Sequence, residues 1–139
     1  MTRSAALAVA AMGFLTLPLL TTSPALAAPS VPPPGVYVEQ SSHLRCVPGR
    51  FCITGTSPTG KDVRILAGAG IPDTSKVVMD EEGGKTLATE GGSTLFNVTY
   101  MDYCLYSQTR YRGSLKRVKA HTHEDDQTFK FASVRPCPA

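Results

Sequence analysis

Apolar and polar positions alternate with a period of two along the second half of the chain. Tyr103, Leu105 and Ser107 alternate with Cys104 and Tyr106, the spacing of a half-buried strand. Arg110-Tyr111-Arg112-Gly113 reads as a turn, with Gly113 supplying a backbone position of positive φ. A strand that leaves through Tyr106 and returns through Tyr111 brings two aromatic rings onto one hairpin. Phe129, Phe131 and Val134 predict a last strand. Earlier in the chain, Pro48-Gly49 marks a turn, and Phe51, Cys52 and Ile53 begin a strand behind it. Val36-Tyr37-Val38-Glu39 fits either an edge strand or the continuation of an extended tail. Gly68, Gly70, Gly83, Gly84, Gly91 and Gly92 mark loops around a short strand at Val77-Val78-Met79 and an acidic turn at Asp80-Glu81-Glu82. These elements predict an all-β chain.

The pattern occurs twice. Cys52-Ile53-Thr54 matches Cys104-Leu105-Tyr106, Thr59-Gly60 matches Arg112-Gly113 or, with one gap, Tyr111 and Gly113, and Val63-Arg64-Ile65-Leu66 loosely matches Leu115-Lys116-Arg117-Val118. Two units follow, residues 44–99 and 100–137, joined through Thr94-Leu95-Phe96-Asn97-Val98-Thr99, where Leu95 and Phe96 close the first. Neither has enough apolar surface to fold alone.

The start of the chain has a different character. Arg3 precedes an apolar run over residues 5–20, then polar Thr21-Thr22-Ser23-Pro24 and the small-residue site Ala25-Leu26-Ala27. This predicts a secretory signal peptide over residues 1–27, cleaved after Ala27. Residues 28–43, with Pro29, Pro32, Pro33 and Pro34, read as an extended linker, and 44–139 as the domain. The formal net charge is +3; loss of Arg3 with the leader leaves +2, too little to imply nucleic acid. No second apolar run is long enough to span a bilayer. Four cysteines in a small exported chain read as two disulfides, with three possible connectivities. A Cys46–Cys52 bridge would close a small loop ahead of the first strand.

Tyr106, Tyr111, Gly113 and Ser133 resemble the Greek-key motif of the βγ-crystallins: aromatic, four residues, aromatic, one residue, glycine, and a serine some twenty residues on. In that family the serine hydroxyl bonds the backbone of the folded hairpin. The run from Cys46 through Pro48 and Gly49 to Cys52 resembles the start of the secreted crystallin-like inhibitors of streptomycetes. It departs from them in a proline displaced by one and in Thr54 where an aromatic is expected, so the first unit is a degraded copy with Gly60 as its turn glycine. The resemblance implies a βγ-crystallin-like β-sandwich of two Greek-key motifs. It also makes the first and last strands of the second unit neighbours, which favours Cys104–Cys137 alongside Cys46–Cys52.

The same resemblance implies a bacterial inhibitor of extracellular proteases, metalloproteases above all. The inhibitory pattern carries a cystine-closed loop in its second unit, and here residues 107–113 form a tight turn without one. Val77, Val78 and Met79 in the Gly-rich connection are the candidate inhibitory loop. The alternative is a killer-toxin-like or envelope-binding module that meets a cell-envelope polymer through Arg110, Arg112, Lys116, Arg117 and Lys119, a basic run interleaved with tyrosines. No catalytic set emerges, since serines lack a nucleophile-elbow setting and paired cysteines are not nucleophiles. No cofactor is implied. His121-Thr122-His123 with Glu124, Asp125 and Asp126 reads as a solvated loop rather than a zinc site, and His43 is the other histidine. The stretch 128–133 has no carboxylate and 89–94 matches the calcium pattern only in part, so strong calcium binding is not expected. Asn97-Val98-Thr99 is a sequon, read as a polar junction between strands. The protein is expected to be a monomer.

Overall fold

In the computed structural model the repeat becomes two antiparallel sheets that share a core. The residues described are 31–40, 46–54, 60–80, 82–125 and 127–139. The expected leader at 1–27 and its cleavage site lie outside them, as do His43, Thr59 and Asp126. The strands are β1 (Val36–Gln40), β2 (Arg50–Thr54), β3 (Lys61–Leu66), β4 (Val78–Asp80), β5 (Lys85–Thr86), β6 (Thr94–Asn97), β7 (Tyr103–Gln108), β8 (Arg112–Val118), β9 (Thr122–Glu124) and β10 (Ser133–Pro136), with a single helical turn α1 (Leu87–Glu90). The first sheet runs β1-β3-β2-β6-β9 and the second β10-β7-β8, while β4 and β5 pair as a small ribbon.

The two halves of the chain exchange strands. β9 comes from the second half but pairs with β6 of the first. Ile71 comes from the first half but bridges Val134 on β10. Its amide donates to the Val134 carbonyl at 2.7 Å, and the Val134 amide donates back at 2.8 Å. Each sheet is therefore completed by the opposite unit. Between them lie Phe51, Ile53, Val63, Ile65, Ile71, Leu95, Leu105, Val118 and Val134, all buried. Phe51 and Tyr103 hold corresponding places in β2 and β7, and their rings stack with centroids 4.5 Å apart and 12° between planes. The Tyr103 hydroxyl shares its one proton between the carbonyls of Leu66 at 3.0 Å and Ala69 at 3.2 Å, so the second unit is pinned to the end of β3.

Several expectations need correction. The last strand is Ser133–Pro136. It does not begin at Phe129; Phe131 instead plugs the core and Phe129 packs against its rim, because the chain must cross from one sheet to the other here. His121-Thr122-His123 is not a simple polar loop, since Thr122 and His123 belong to β9. Its polarity reflects an outermost strand, where one face and one edge are solvated. The repeat is displaced by one residue. Cys52 pairs with Arg64 and Cys104 with Arg117, so Val63 corresponds to Lys116 rather than to Leu115. A bulge places both Gly113 and Ser114 opposite Ser107, and a one-residue shift exchanges the two faces of a strand. Val36-Tyr37-Val38-Glu39 is an edge strand, so the first sheet begins ahead of the boundary set at residue 44. Val36 is drawn in because its side chain is covered by the core.

The disulfides are Cys46–Cys52 and Cys104–Cys137, with Cα–Cα distances of 5.9 Å and 4.9 Å. The second ties neighbouring strands β7 and β10 across a separation of 33 residues, a loop for which chain entropy predicts about 3–4 kcal/mol of stabilisation. Asn97 is buried; its amide nitrogen donates to the Met101 and Val118 carbonyls, and its oxygen accepts from Thr99, which leaves no place for a glycan.

Burial pushes the Tyr103 hydroxyl up to about 12, helped slightly by Tyr100 and opposed by a backbone hydrogen bond from Gly68. A pKa raised in the folded state stabilises the fold fully below the unfolded value near 10 and loses that contribution as pH rises through about 12. Replacing Tyr103 by Phe is expected to destabilise by about 1–2 kcal/mol at neutral pH, because the Ala69 carbonyl loses its hydroxyl partner while the Leu66 carbonyl keeps the Ala69 amide. The gap between variant and parent should narrow between pH 10 and 12 in urea titrations; a gap independent of pH would contradict the assignment.

Candidate binding surface

The β7–β8 hairpin folds over tightly. Arg110 and Tyr111 both adopt the left-handed conformation, with φ of 56° and 60°, which L residues resist. Ser133, fully buried on β10, holds this geometry. Its hydroxyl accepts the Tyr111 amide at 2.9 Å and donates to the Gln108 carbonyl at 2.6 Å. Gly113 has φ of +83°, and a Cβ there would run into Ser107 Oγ, which accepts the Ser114 amide at 3.0 Å. The two rings of the hairpin meet edge to face, with centroids 6.0 Å apart and 64° between planes. Arg135 lies over both, its guanidinium carbon 4.7 Å from the Tyr111 centroid and 5.4 Å from that of Tyr106. Burial raises the Tyr111 pKa, and the Arg135 charge opposes the rise. Thus Tyr106, Tyr111, Gly113 and Ser133 converge on one rigid tip, joined by Arg135.

Arg135 was not singled out from the sequence. Strand alternation could have found it, because it follows Ser133 by two and so shares the face that carries Tyr106. In the first unit Thr94 stands opposite Thr54 as Ser133 stands opposite Tyr106. Thr54 stands where the second unit has the Tyr106 ring, and its hydroxyl donates to the Thr94 carbonyl at 3.2 Å.

The five basic residues do not share one face. Lys116 pairs with Glu124 on β9 and bridges the two sheets at their edge. Arg117 projects from the opposite side of β8, 55% exposed, with Asp102 at 3.6 Å. Arg110 at the tip, Arg112 at the start of β8 and Lys119 just past its end are exposed and have no ion pair among the described residues. Leu115 stands between Gly113 and Arg117 and is 53% exposed. The result is a cationic strip with one apolar residue along the free side of the second sheet.

The other candidates fall elsewhere. Val77 and Met79 are core residues, 0% and 1% exposed, so the candidate inhibitory loop is not presented to a protease. The β4–β5 ribbon with α1 turns these apolar side chains inward, and the Val77 carbonyl accepts the Leu87 amide at 2.9 Å. His121 sits in a turn with φ of 56°, while His123 stacks on Phe96 at 6.0 Å and lies 3.8 Å from Asp125. Among the described residues no three His, Cys, Asp or Glu side chains cluster as metal ligands. The two stretches tested for calcium meet at a pocket of about 140 Å³ lined by Glu90, Ser93, Gln127 and Lys130 among others. Among the described residues that line it Glu90 is the one carboxylate, and it is engaged by Lys85 at 3.3 Å. All cysteines are in disulfides. No helix of the described residues is long and apolar enough to cross a membrane.

The two-sheet architecture has a counterpart among solved structures. A structure from work on the evolution of the eye lens βγ-crystallin domain fold superposes with a TM-score of 0.53 at 12% identity, covering 72% of this chain and 94% of that one. The chain has the βγ-crystallin fold. At this identity the likeness concerns architecture alone. No protein-family model matches the sequence, and neither does any curated protein.

Ser133→Ala leaves the Tyr111 amide and the Gln108 carbonyl unpaired beneath a strained turn, and it is expected to destabilise this βγ-crystallin fold by about 2–3 kcal/mol. Met79→Ala should cost about 2–4 kcal/mol through its cavity, whereas a bait residue would tolerate the change. Denaturant midpoints for both variants check these values.

Proposed function

We propose that this protein is an exported, non-enzymatic binding module that meets an anionic cell-envelope polymer through the cationic strip of its second unit. The observation that carries the reading is the set Arg110, Arg112 and Lys119: exposed, without ion pairs among the described residues, and mounted on a hairpin fixed by Ser133 and by the Tyr106, Tyr111 and Arg135 stack. A rigid array loses little conformational entropy on binding, so modest charge attraction is used efficiently. Two disulfides suit an oxidising compartment and limit unfolding where no chaperone assists. Protease inhibition finds no support in the geometry, because Val77 and Met79 are in the core and the hairpin at 107–113 is a tight turn whose backbone is clamped from within.

The test is binding of the oxidised protein to isolated phosphate-rich envelope polymer. Arg110→Gln, Arg112→Gln and Lys119→Gln combined should lower affinity at least tenfold, with stability held within about 0.5 kcal/mol. The parent's affinity should also fall as salt rises from 50 to 300 mM, roughly a shrinking of the screening length from about 14 Å to about 6 Å. Unchanged affinity in the triple variant removes the reading. So does saturable inhibition of an extracellular protease by an intact protein that ignores the polymer.

A further inference from the structure

The two units differ at one edge. β3 is covered along its outer side by β1, whereas β8, its counterpart in the second sheet, pairs only with β7 among the described residues. The registers make the comparison residue by residue: Arg64 lies opposite Cys52 and Arg117 opposite Cys104, so Arg64 and Arg117 are equivalent. On β3, Arg64 faces Tyr37 across the strand pair and is ion-paired with Glu39 at 2.9 Å. Covered in this way, Arg64 is only 5% exposed. Arg117 has no such cover.

The main chain of β8 is set to receive a strand. The Ser114 amide reaches Ser107 Oγ at 3.0 Å, and the Ala120 amide reaches Asp102 Oδ1 at 2.9 Å, so both turn toward the β7 side. Alternation along an antiparallel strand then turns the amides and carbonyls of Leu115 and Arg117 outward. On β3 the same phase holds: the Leu66 amide turns to Gly35 beside β1, and the next amide, Ala67, turns back to Gly49.

We infer that the β8 edge binds an extended acidic peptide segment of a partner protein by antiparallel strand addition, in the phase that β1 occupies on β3. The residue opposite Arg117 would be aromatic, like Tyr37. The residue two further on would be acidic, like Glu39, and would reach the Arg117 guanidinium. A second acidic residue two positions before the aromatic would face Lys119. Main-chain bonds supply affinity and alternate side chains supply selection, as in other edge-binding systems. A second copy of this chain is a poorer occupant, since pairing β8 with itself would bring Arg112, Lys116 and Arg117 of both copies together. This inference goes beyond the polymer reading and stands on the main chain of β8, not on Arg110 or Arg112.

The experiment uses the oxidised protein and a synthetic peptide with the core Glu-Val-Tyr-Val-Glu. Three comparisons are read by titration and by amide resonance shifts. The peptide is expected to bind with shifts centred on Leu115 and Arg117. N-methylation at its tyrosine and second glutamate, which keeps every charge, should weaken binding more than tenfold. Replacing both glutamates by lysine should weaken it likewise, and the lysine peptide should prefer Arg117→Glu protein over the parent. Equal binding of the N-methylated peptide would overturn the proposal by reducing it to charge attraction. Shifts located away from β8, or a dimer that forms through β8 with rising concentration and excludes the peptide, would overturn it as well.

Discussion

The stack of Phe51 on Tyr103 is the contact on which the sandwich depends. The two rings occupy matching places in the two units and meet face to face in a fully buried position. Aromatic pairs of this kind add about 0.5–1.5 kcal/mol beyond the area they bury. Their larger effect here is positional. Tyr103 also donates to Leu66 and Ala69, so it fixes the second sheet against the end of β3 as well as against β2. With that distance set, β9 can reach β6 and Ile71 can reach β10.

Strand exchange follows from the same constraint. Corresponding positions in the two units need not carry corresponding chemistry. Val63 and Ile71 belong to the apolar core, while Lys116 and Glu124, their counterparts by register, form an ion pair at the open side of the sandwich. The first unit closes that side with β1 and hydrophobic packing. The second closes it with charge and leaves its edge strand exposed. The structural asymmetry of the molecule comes from this difference.

Much of the architecture was legible in the sequence because its signals are local. Alternation at Tyr103, Leu105 and Ser107, and the spacing of Tyr106, Tyr111, Gly113 and Ser133, specify one hairpin and the strand that clamps it. What stayed hidden depends on distant partners. Nothing local marks Thr122 and His123 as a strand, because their pairing lies in the other unit. Val77 and Met79 look like an exposed loop between glycines until the ribbon folds them inward. The bulge at Gly113 and Ser114 shifts every later residue of β8 to the other face, so five cations that read as one patch divide between Lys116, turned to Glu124, and a solvent-facing strip in which Arg117 also meets Asp102. Arg135 needed only alternation from Ser133, yet its role appears only when both tyrosines are seen beneath it.

The exchange of strands also sets an order in time. β6 lacks its outer neighbour until Thr122–Glu124 has been synthesised, and Ile71 lacks its own until Ser133–Pro136 follows. A ribosome that has released only the first unit therefore holds a chain with no closed sheet and no stacked Phe51. Such a chain cannot complete either sheet until almost its last strand has emerged, so the two units are coupled in time as well as in space.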